Sequence, residues 1–183
     1  MKARKDTTLS TYREKRNVKE TGEPEKSKKQ QYKKIFVIHK HDASHLHYDF
    51  RFEFNKVLKS WAMPKQPLNR VGVKRLALPT EDHPYDYAQF HGTIPEGHYG
   101  AGTVEIWDHG TYKNIKYDKG KLVPMSACLK DGHVELWLEG EKLQGPFALI
   151  RTHMQGNKKE QWLFFKMQHK KAEDLHLDED DDE

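Results

Sequence analysis

Polar and titratable side chains alternate with apolar ones in the segment Leu46–Phe54. His47, Asp49 and Arg51 fall on one parity, whereas leucine, tyrosine and phenylalanine occupy the other. Alternation with a period of two predicts a β-strand with two unlike faces, on which successive residues of one face lie roughly 6.5 Å apart. An imidazole, a carboxylate and a guanidinium are therefore expected in a row, where they could act on one ligand.

His41 precedes this strand and follows the apolar run Ile35–Ile38. Two imidazoles and one carboxylate are a sufficient ligand set for a divalent metal with open coordination positions. The sequence therefore predicts His41, His47 and Asp49 as metal ligands, with an exposed histidine-rich face as the alternative. Arg51 would place a positive charge beside that metal, and this combination favours an anionic oxygen substrate, most simply a phosphate.

Further candidate phosphate contacts lie in separate segments after this strand. His83 stands in the segment Thr80–Tyr87, which we predict to be a loop, and the proline after it favours an extended backbone with a projecting side chain. It could protonate a leaving group or contact a phosphate oxygen. Lys65 follows one predicted strand, and Arg75 begins the next. An ordinary surface position is the alternative for each of these three residues.

Short strands bounded by turn signals dominate the chain from residue 35 onward. The predicted strands are Ile35–His41, Leu46–Phe54, Val57–Met63, Arg75–Pro79, Thr103–Asp108, Thr111–Tyr117, His133–Glu139, Pro146–Thr152 and Gln161–Met167. Only Met125–Lys130 and Pro84–Phe90 are predicted to hold helical turns. This pattern is typical of a β-barrel or sandwich. We favour a compact, closed or partly closed barrel, because the polar row on the second strand needs a polar central cavity to face.

Charge is distributed unevenly along the 183 residues. Residues 1–34 carry twelve Lys/Arg against five Asp/Glu, whereas residues 170–183 carry two against eight. We therefore predict a basic, partly flexible arm at 1–34, a β-barrel domain at 35–169 and an acidic, disordered tail at 170–183. The arm is expected to supply affinity for nucleic-acid phosphates more than chemistry.

The chain has a single cysteine, Cys128, so it cannot form an intrachain disulfide. This composition fits a reducing cytoplasm. No apolar run approaches the length of a membrane-spanning helix, and the lysine-rich start lacks the apolar segment of a signal peptide. We therefore expect a cytoplasmic protein that does not associate with membranes.

Several blocks of this sequence, in order, resemble the 3′-phosphoesterase domain of bacterial and archaeal DNA ligase D in a free-standing form. The blocks are KHDASHLHYDFRFE, VLKSWAMPK, KRLAL, TEDHPYDYAQFHGTIPEGHYGAGTV, GEKLQGPFALIR and QWLFFK. The resemblance runs from about Tyr12 to Met167. It implies a β-barrel with a manganese site that trims DNA 3′ ends. A phosphodiesterase step would remove a terminal ribonucleoside, and a phosphomonoesterase step would remove the remaining 3′-phosphate before ligation in end joining.

The resemblance also implies roles for individual residues. The implied metal ligands are His41, His47 and Asp49, with manganese as the expected ion and zinc, cobalt or iron as alternatives. The implied phosphate contacts are Arg51, Lys65, Arg75, His83 and Tyr87, of which Arg51, His83 and Tyr87 join the metal ligands in the catalytic set. Tyr87 rests mainly on the resemblance. Relatives commonly have glutamine in place of His39 and an acid in place of Asn17, so the sequence leaves open whether His39 is a phosphate contact, a spare metal ligand or neither, and whether the arm assists as it does in the family. The segment Tyr12–Pro24 also has a counterpart in the family, so folding onto the active site is the alternative for this part of the arm.

The expected substrates are DNA 3′ ends or primer–templates that carry terminal ribonucleotides or a 3′-phosphate. Ligase, polymerase and end-binding proteins would act from other chains. Two other functions fit the same residues. His47-x-Asp49 with another histidine is also the ligand pattern of non-haem iron(II) oxygenases, and a β-barrel could bind nucleic acid without catalysis. Iron-dependent oxygen uptake would favour the oxygenase. End-independent binding that survives loss of the histidines would favour the binding module.

Overall fold

The structure is a computed structural model that describes residues 7–28, 31–152 and 159–168. The predicted acidic tail at 170–183 lies outside these residues, as do residues 1–6 and 29–30 of the predicted arm. The described strands are β1 (Ile35–Asp42), β2 (Leu46–Phe54), β3 (Val57–Met63), β4 (Lys74–Pro84), β5 (Gly92–Ile94), β6 (Gly102–Asn114), β7 (Tyr117–Asp118), β8 (Lys121–Leu122), β9 (His133–Gly140), β10 (Gln144–Arg151) and β11 (Trp162–Lys166). The described helices are α1 (Ser10–Lys15), α2 (Val18–Thr21) and α3 (Met125–Asp131), with 3₁₀ helices at Thr7–Leu9 and Tyr85–Gln89.

Eight of the strands close into an antiparallel β-barrel. Their order is β1-β2-β3-β4-β11-β10-β9-β6, and β6 pairs with β1 to complete the circle. β5 pairs with the start of β6, and β7 and β8 form a separate hairpin. Closure pairs every barrel strand on both sides, which removes open edges. The prediction of a mainly β, closed barrel with few short helices is confirmed.

Apolar side chains from all eight barrel strands fill the interior of the barrel. On β2 the inward residues are Tyr48, Phe50 and Phe52, and the Phe52 ring stacks on Trp61 with centroids 5.6 Å apart. The prediction of a polar central cavity is therefore wrong, because the interior of the barrel is apolar. The alternation in β2 identifies its two faces correctly, but a barrel of eight strands has an interior that side chains fill. The aromatic face takes that interior, and the polar row lies on the outside.

The outer face of β1–β4 is covered by the N-terminal segment and by the 3₁₀ helix Tyr85–Gln89. A second apolar cluster forms there and comprises Tyr12, Val37, Leu58, Tyr85, Tyr87 and Ala88. Tyr12 of α1 is fully buried in it. The described part of the predicted arm thus packs against the barrel, in agreement with the alternative for Tyr12–Pro24.

Two strands are longer than the sequence predicts. β4 continues to Pro84 through most of the predicted loop Thr80–Tyr87. β6 is one strand where two are predicted, because Gly110 does not form a turn. A Cβ at Gly110 would lie 1.9 Å from the carbonyl oxygen of Glu139, so the glycine permits close approach of β9. The predicted helical turns are confirmed as α3 and the 3₁₀ helix.

Among the described residues, the helices are all too short or too polar to cross a membrane.

Candidate metal and phosphate site

A pocket of about 430 Å³ lies on the outer face of β1–β4. The predicted site residues that line it are His41, His47, Asp49, Arg51, His83 and Tyr87. Arg16 from the N-terminal segment and Tyr99 from the loop between β5 and β6 also contribute to its walls. The barrel therefore supplies the floor of the pocket, and segments distant in sequence complete it.

The three predicted metal ligands converge at one point of this pocket. His41 and His47 are paired across β1 and β2, with ring centroids 4.7 Å apart. Asp49 Oδ2 lies 3.7 Å from His41 Nδ1 and 3.3 Å from His47 Nε2. One candidate ligand atom from each residue lies within 4.8 Å of the other two. The donor set and its spacing fit a divalent ion with open coordination positions.

Backbone carbonyl groups fix the tautomers of both histidines. His41 Nε2 donates to the Gly100 carbonyl oxygen at 2.6 Å, and His47 Nδ1 donates to the His45 carbonyl oxygen at 3.0 Å. A carbonyl oxygen only accepts, so His41 Nδ1 and His47 Nε2 keep their lone pairs for a metal. Gly100 has a φ of +77°, in the left-handed region that favours glycine. The loop before β6 therefore helps to set the ligand geometry.

Charge inside the pocket keeps Asp49 ionised. Burial alone would raise the pKa of Asp49, but the Arg51 guanidinium at 3.3 Å and the two histidines outweigh it and hold this pKa well below its usual range. Burial lowers the pKa of His47, but the hydrogen bond and the charge of Asp49 outweigh burial and raise it. A metal must therefore compete with a proton at His47.

Arg51 is held in place by neighbours on several sides. Its Nε donates to His39 Nδ1 at 3.1 Å, and its guanidinium lies 5.0 Å from the centre of the Tyr87 ring. His39 can accept this bond because its Nε2 donates to the Phe90 carbonyl oxygen at 3.1 Å. Burial and the charge of Arg51 lower the pKa of His39 to about 3, so this residue stays neutral. His39, whose role the sequence leaves open, thus orients Arg51.

His83 is a buried, neutral imidazole between two guanidinium groups. Its Nδ1 donates to the Glu81 carbonyl oxygen at 2.8 Å, which leaves Nε2 to accept from Arg16 Nη2 at 3.2 Å. Arg51 Nη1 lies 3.1 Å from the same Nδ1. Burial, Arg51 and Arg16 together hold the pKa of His83 well below its usual range. An anion bound beside these arginines would offset the charges that keep His83 neutral.

The predicted loop position of His83 is wrong, because a β-bulge extends β4 through this residue. Leu58 of β3 pairs with His83, and Ser60 pairs with Thr80, so β4 has one more residue than β3 between these pairs. The extra residue changes the parity of β4, and His83 points to the same side as Thr80. The local sequence contains no turn that would indicate this change.

Two further charged residues, Arg16 and Glu81, line the pocket, and Glu23 pairs with Arg16 without lining the pocket itself. Arg16 Nε pairs with Glu23 Oε2 at 2.9 Å, and Arg16 Nη1 pairs with Glu81 Oε1 at 2.9 Å. The Arg16 guanidinium also lies 4.1 Å from the centre of the Tyr12 ring. These contacts bring a second guanidinium to the pocket from the N-terminal segment. The only sequence signal for them is the resemblance of Tyr12–Pro24 to the family.

Tyr87 connects the N-terminal segment to the floor of the pocket. Its hydroxyl donates to Glu23 Oε2 at 2.8 Å. Burial raises the pKa of Tyr87 well above its usual value, and the charge of Glu23 adds to this against the opposing effect of Arg51. The hydroxyl therefore stays protonated and keeps its bond to Glu23.

Lys65 and Arg75, unlike the other predicted phosphate contacts, are not among the described residues that line the pocket. Lys65 is exposed, and Arg75 is half-buried with its Nε donating to the Gln66 carbonyl oxygen at 2.7 Å. The assignment of Lys65 and Arg75 as phosphate contacts therefore stays a prediction.

Comparison with known proteins identifies a family. Residues 39–151 match the family described as DNA Ligase D 3'-phosphoesterase domain. The multifunctional non-homologous end joining protein LigD of Pseudomonas aeruginosa is 44% identical over 170 residues, which cover 91% of this chain. The protein of the same name from Mycolicibacterium smegmatis is 41% identical over 168 residues, or 89% of this chain. This chain spans 19% and 21% of the lengths of these two relatives, respectively.

Proposed function

Since this chain belongs to the DNA ligase D 3′-phosphoesterase domain family, we propose that it is a metal-dependent phosphoesterase that processes DNA 3′ ends. It would remove a 3′-terminal ribonucleoside as a phosphodiesterase and the remaining 3′-phosphate as a phosphomonoesterase. The names of its relatives refer to non-homologous end joining, which supports a role in preparing ends for repair. Ligase, polymerase and end-binding proteins are the partners that such a role requires.

One observation carries this proposal. A metal-ligand set of His41, His47 and Asp49 shares its pocket with two buried guanidinium groups, those of Arg51 and Arg16. A divalent ion held there, with manganese as our choice, would polarise a phosphoryl oxygen and lower the pKa of a bound water. The arginines would bind the remaining phosphoryl oxygens and stabilise charge that develops in the transition state.

The other pocket residues would position these groups. His39 and Asp49 fix the orientation of Arg51, and Glu23 holds Arg16 and the Tyr87 hydroxyl on one carboxylate oxygen. Their effect would be to keep the donors of the pocket aligned before the substrate arrives, which lowers the reorganisation needed during reaction.

His83 would respond to the substrate. A phosphate between Arg16 and Arg51 would offset the two charges that hold the pKa of His83 low. His83 would then bind a proton more readily and could pass it to the leaving oxygen, a role usually worth about 10²–10⁴-fold in rate. From the family resemblance, we also assign Lys65 and Arg75 to the phosphate of the substrate.

The test is a primer–template with a labelled 5′ end and one 3′-terminal ribonucleotide. Chelator-treated protein should leave the primer intact, and added manganese should yield first a shortened 3′-phosphate product and then a 3′-hydroxyl product. His47→Ala should abolish both steps, whereas His109→Ala should not, because His109 is an exposed histidine on β6 outside this pocket. Absence of any manganese-dependent product, or full activity of His47→Ala, would contradict the proposal. Iron-dependent oxygen uptake without phosphate release would favour the oxygenase instead.

A further inference from the structure

Two large apolar side chains stand exposed in the candidate pocket. Leu46 is 44% exposed and Tyr99 is 49% exposed, and both line the pocket that contains the metal-ligand set. Among the described residues, the other large apolar side chains with comparable exposure are Val71 and Leu76, and neither lines this pocket. Single exposed apolar residues are common on protein surfaces. Two of them from separate segments in one charged pocket need a more specific explanation.

Tyr99 is held at the pocket by the residues on each side of it. The next residue, Gly100, accepts the hydrogen bond of His41 through its carbonyl oxygen. The preceding residue, His98, lies with its Nε2 3.1 Å from Glu20 Oε2. Lys15 Nζ also donates to the Tyr99 hydroxyl at 3.4 Å. The ring is thus tied to a metal ligand and to the N-terminal segment while about half of the residue remains open to solvent.

Leu46 has an equally direct connection to the metal-ligand set. It begins β2 and immediately precedes His47. Neighbouring side chains of β2 leave the strand on opposite sides, but Leu46 occupies the first position of the strand, where its side chain still lines the pocket. The two exposed apolar side chains are therefore each one residue away from a group that ligates the predicted metal or orients its ligand.

Positive charge accompanies the exposed ring. Lys15 Nζ lies 4.7 Å and Arg16 Cζ lies 5.2 Å from the centre of the Tyr99 ring. The pocket thus offers an apolar surface beside cations, which suits a ligand with a flat apolar part and an anionic part. A nucleotide has both, because its base is a flat ring joined through the sugar to a phosphate. Aromatic side chains stack on bases with little preference for their identity.

We propose that Tyr99 and Leu46 form a nucleoside platform, which binds the sugar and base attached to the reacting phosphate. With the phosphate at Arg16 and Arg51, the neighbouring nucleoside packs on the Tyr99 ring and on Leu46. This inference rests on the proposed function, because it assigns the next group of the same substrate. The platform discriminates nucleic-acid ends from small phosphate esters and tolerates any base.

The test compares two oligonucleotides that end in a 3′-phosphate, one with a normal terminal nucleotide and one with an abasic terminal residue. Binding is measured by fluorescence anisotropy in the presence of a chelator, so that no turnover occurs. The wild-type protein should bind the normal end roughly 5- to 100-fold more tightly than the abasic end. Tyr99→Ala should lose most of this preference and bind the normal end nearly as weakly as the wild-type protein binds the abasic end.

Three further variants complete the design. Tyr99→Phe keeps the ring and its position beside Lys15 and should retain the wild-type preference, although it loses the hydrogen bond from Lys15 to the hydroxyl. Leu46→Ala should lose part of the preference. Val71→Ala removes an apolar side chain of similar exposure outside the pocket and should behave like the wild type. In turnover, Tyr99→Ala should raise KM for the normal end and leave kcat nearly unchanged.

Two results would overturn the platform. One is a folded Tyr99→Ala protein that keeps the wild-type preference for the normal end. The other is an equal loss of affinity for both ends, which would assign Tyr99 to the structure of the loop. Since the binding measurement needs no catalysis, it is independent of the primer assay. If the primer assay failed but the wild-type protein still bound the normal end more tightly than the abasic end, only the proposed function would be overturned.

Discussion

The two faces of β2 are almost equally buried but are stabilised in different ways. Phe50 and Phe52 on the inner face are surrounded by apolar side chains from the whole barrel. Asp49 and Arg51 on the outer face are charged, only 4% exposed, and paired at 3.3 Å. Burial of an apolar side chain is favourable by itself, whereas burial of a charged side chain is favourable only when its polar atoms find partners. The inner face therefore stabilises the barrel, and the outer face depends on groups from elsewhere in the chain.

Those outer partners come from segments that are far apart in sequence. Arg51 contacts His39 of β1, Asp49 of β2 and His83 of β4, and Arg16 of the N-terminal segment reaches the same His83. Removing one partner of such a network leaves a charge or donor without compensation. Stability and the proposed chemistry thus depend on opposite sides of one strand, so substitutions of adjacent residues should have different consequences.

The largest effect on stability is expected from the inner face. Phe50→Ala removes a fully buried ring from the barrel interior and should lower the free energy of unfolding by about 3–5 kcal/mol. Chemical denaturation measures this change. Leu46→Ala, at an exposed position of the same strand, is the control and should change the free energy by less than about 0.5 kcal/mol. A loss below about 1 kcal/mol for Phe50→Ala would argue against a tightly packed interior.

The next largest effect is expected from a substitution on the outer face of β2, which should lower catalytic activity. Arg51→Lys keeps the charge but loses the planar group that contacts His39, Asp49 and His83 at once. We expect kcat for 3′-phosphate removal to fall roughly 10²–10³-fold, with a smaller loss of stability than in Phe50→Ala. The same change at an exposed arginine outside the pocket, Arg70→Lys, should leave kcat unaffected. An Arg51→Lys enzyme with more than half of the wild-type kcat would contradict the assignment.

The smallest expected effect is a change in how the free energy of unfolding depends on pH. The pKa of His39 is about 3 in the folded protein against 6.5 for an ordinary histidine. Between these values the unfolded chain binds the additional proton, so this histidine contributes stability above pH 6.5 that is lost as the pH falls toward the folded pKa. The loss is about 1.4 kcal/mol per pH unit for one such group.

His39→Gln removes this titration and keeps a side chain that can accept from Arg51 and donate to Phe90. The free energy of unfolding of the variant should therefore fall less steeply than that of the wild type between about pH 6 and pH 4. His83 and Asp49 contribute the same sign of dependence, and His47 the opposite sign, but all three are unchanged in the comparison. Parallel stability curves, measured by urea unfolding at several pH values, would show that His39 is not the cause.

The sequence predicts the site best where a periodic pattern exists. The alternation of Leu46–Phe54 predicts β2, separates its faces and places His47, Asp49 and Arg51 together. It cannot state which face is inside the barrel, because that depends on closure of all eight strands. The aromatic content of one face is the better indication of which face lies inside, since side chains fill the interior of an eight-stranded barrel.

Where the pattern is interrupted, the sequence predicts less. The bulge in β4 changes the direction of His83 without a glycine or a turn signal to mark it. Arg16 and Glu23 flank α2, which has only four residues and depends on tertiary packing for its stability. Their contacts with Glu81 and Tyr87 join positions about 65 residues apart, and no local rule connects them. The resemblance to a known family is what indicates this part of the site in advance.

The claim that His41, His47 and Asp49 together hold one divalent ion is tested most directly by binding of manganese. Chelator-treated protein is titrated with Mn²⁺, and the free ion is followed by electron paramagnetic resonance. We expect one tightly bound ion per chain in the wild type and in His109→Ala, and loss of the site in a folded Asp49→Asn protein. Binding should weaken as the pH falls and His47 takes up a proton. An Asp49→Asn protein that binds one ion with wild-type affinity would contradict this claim.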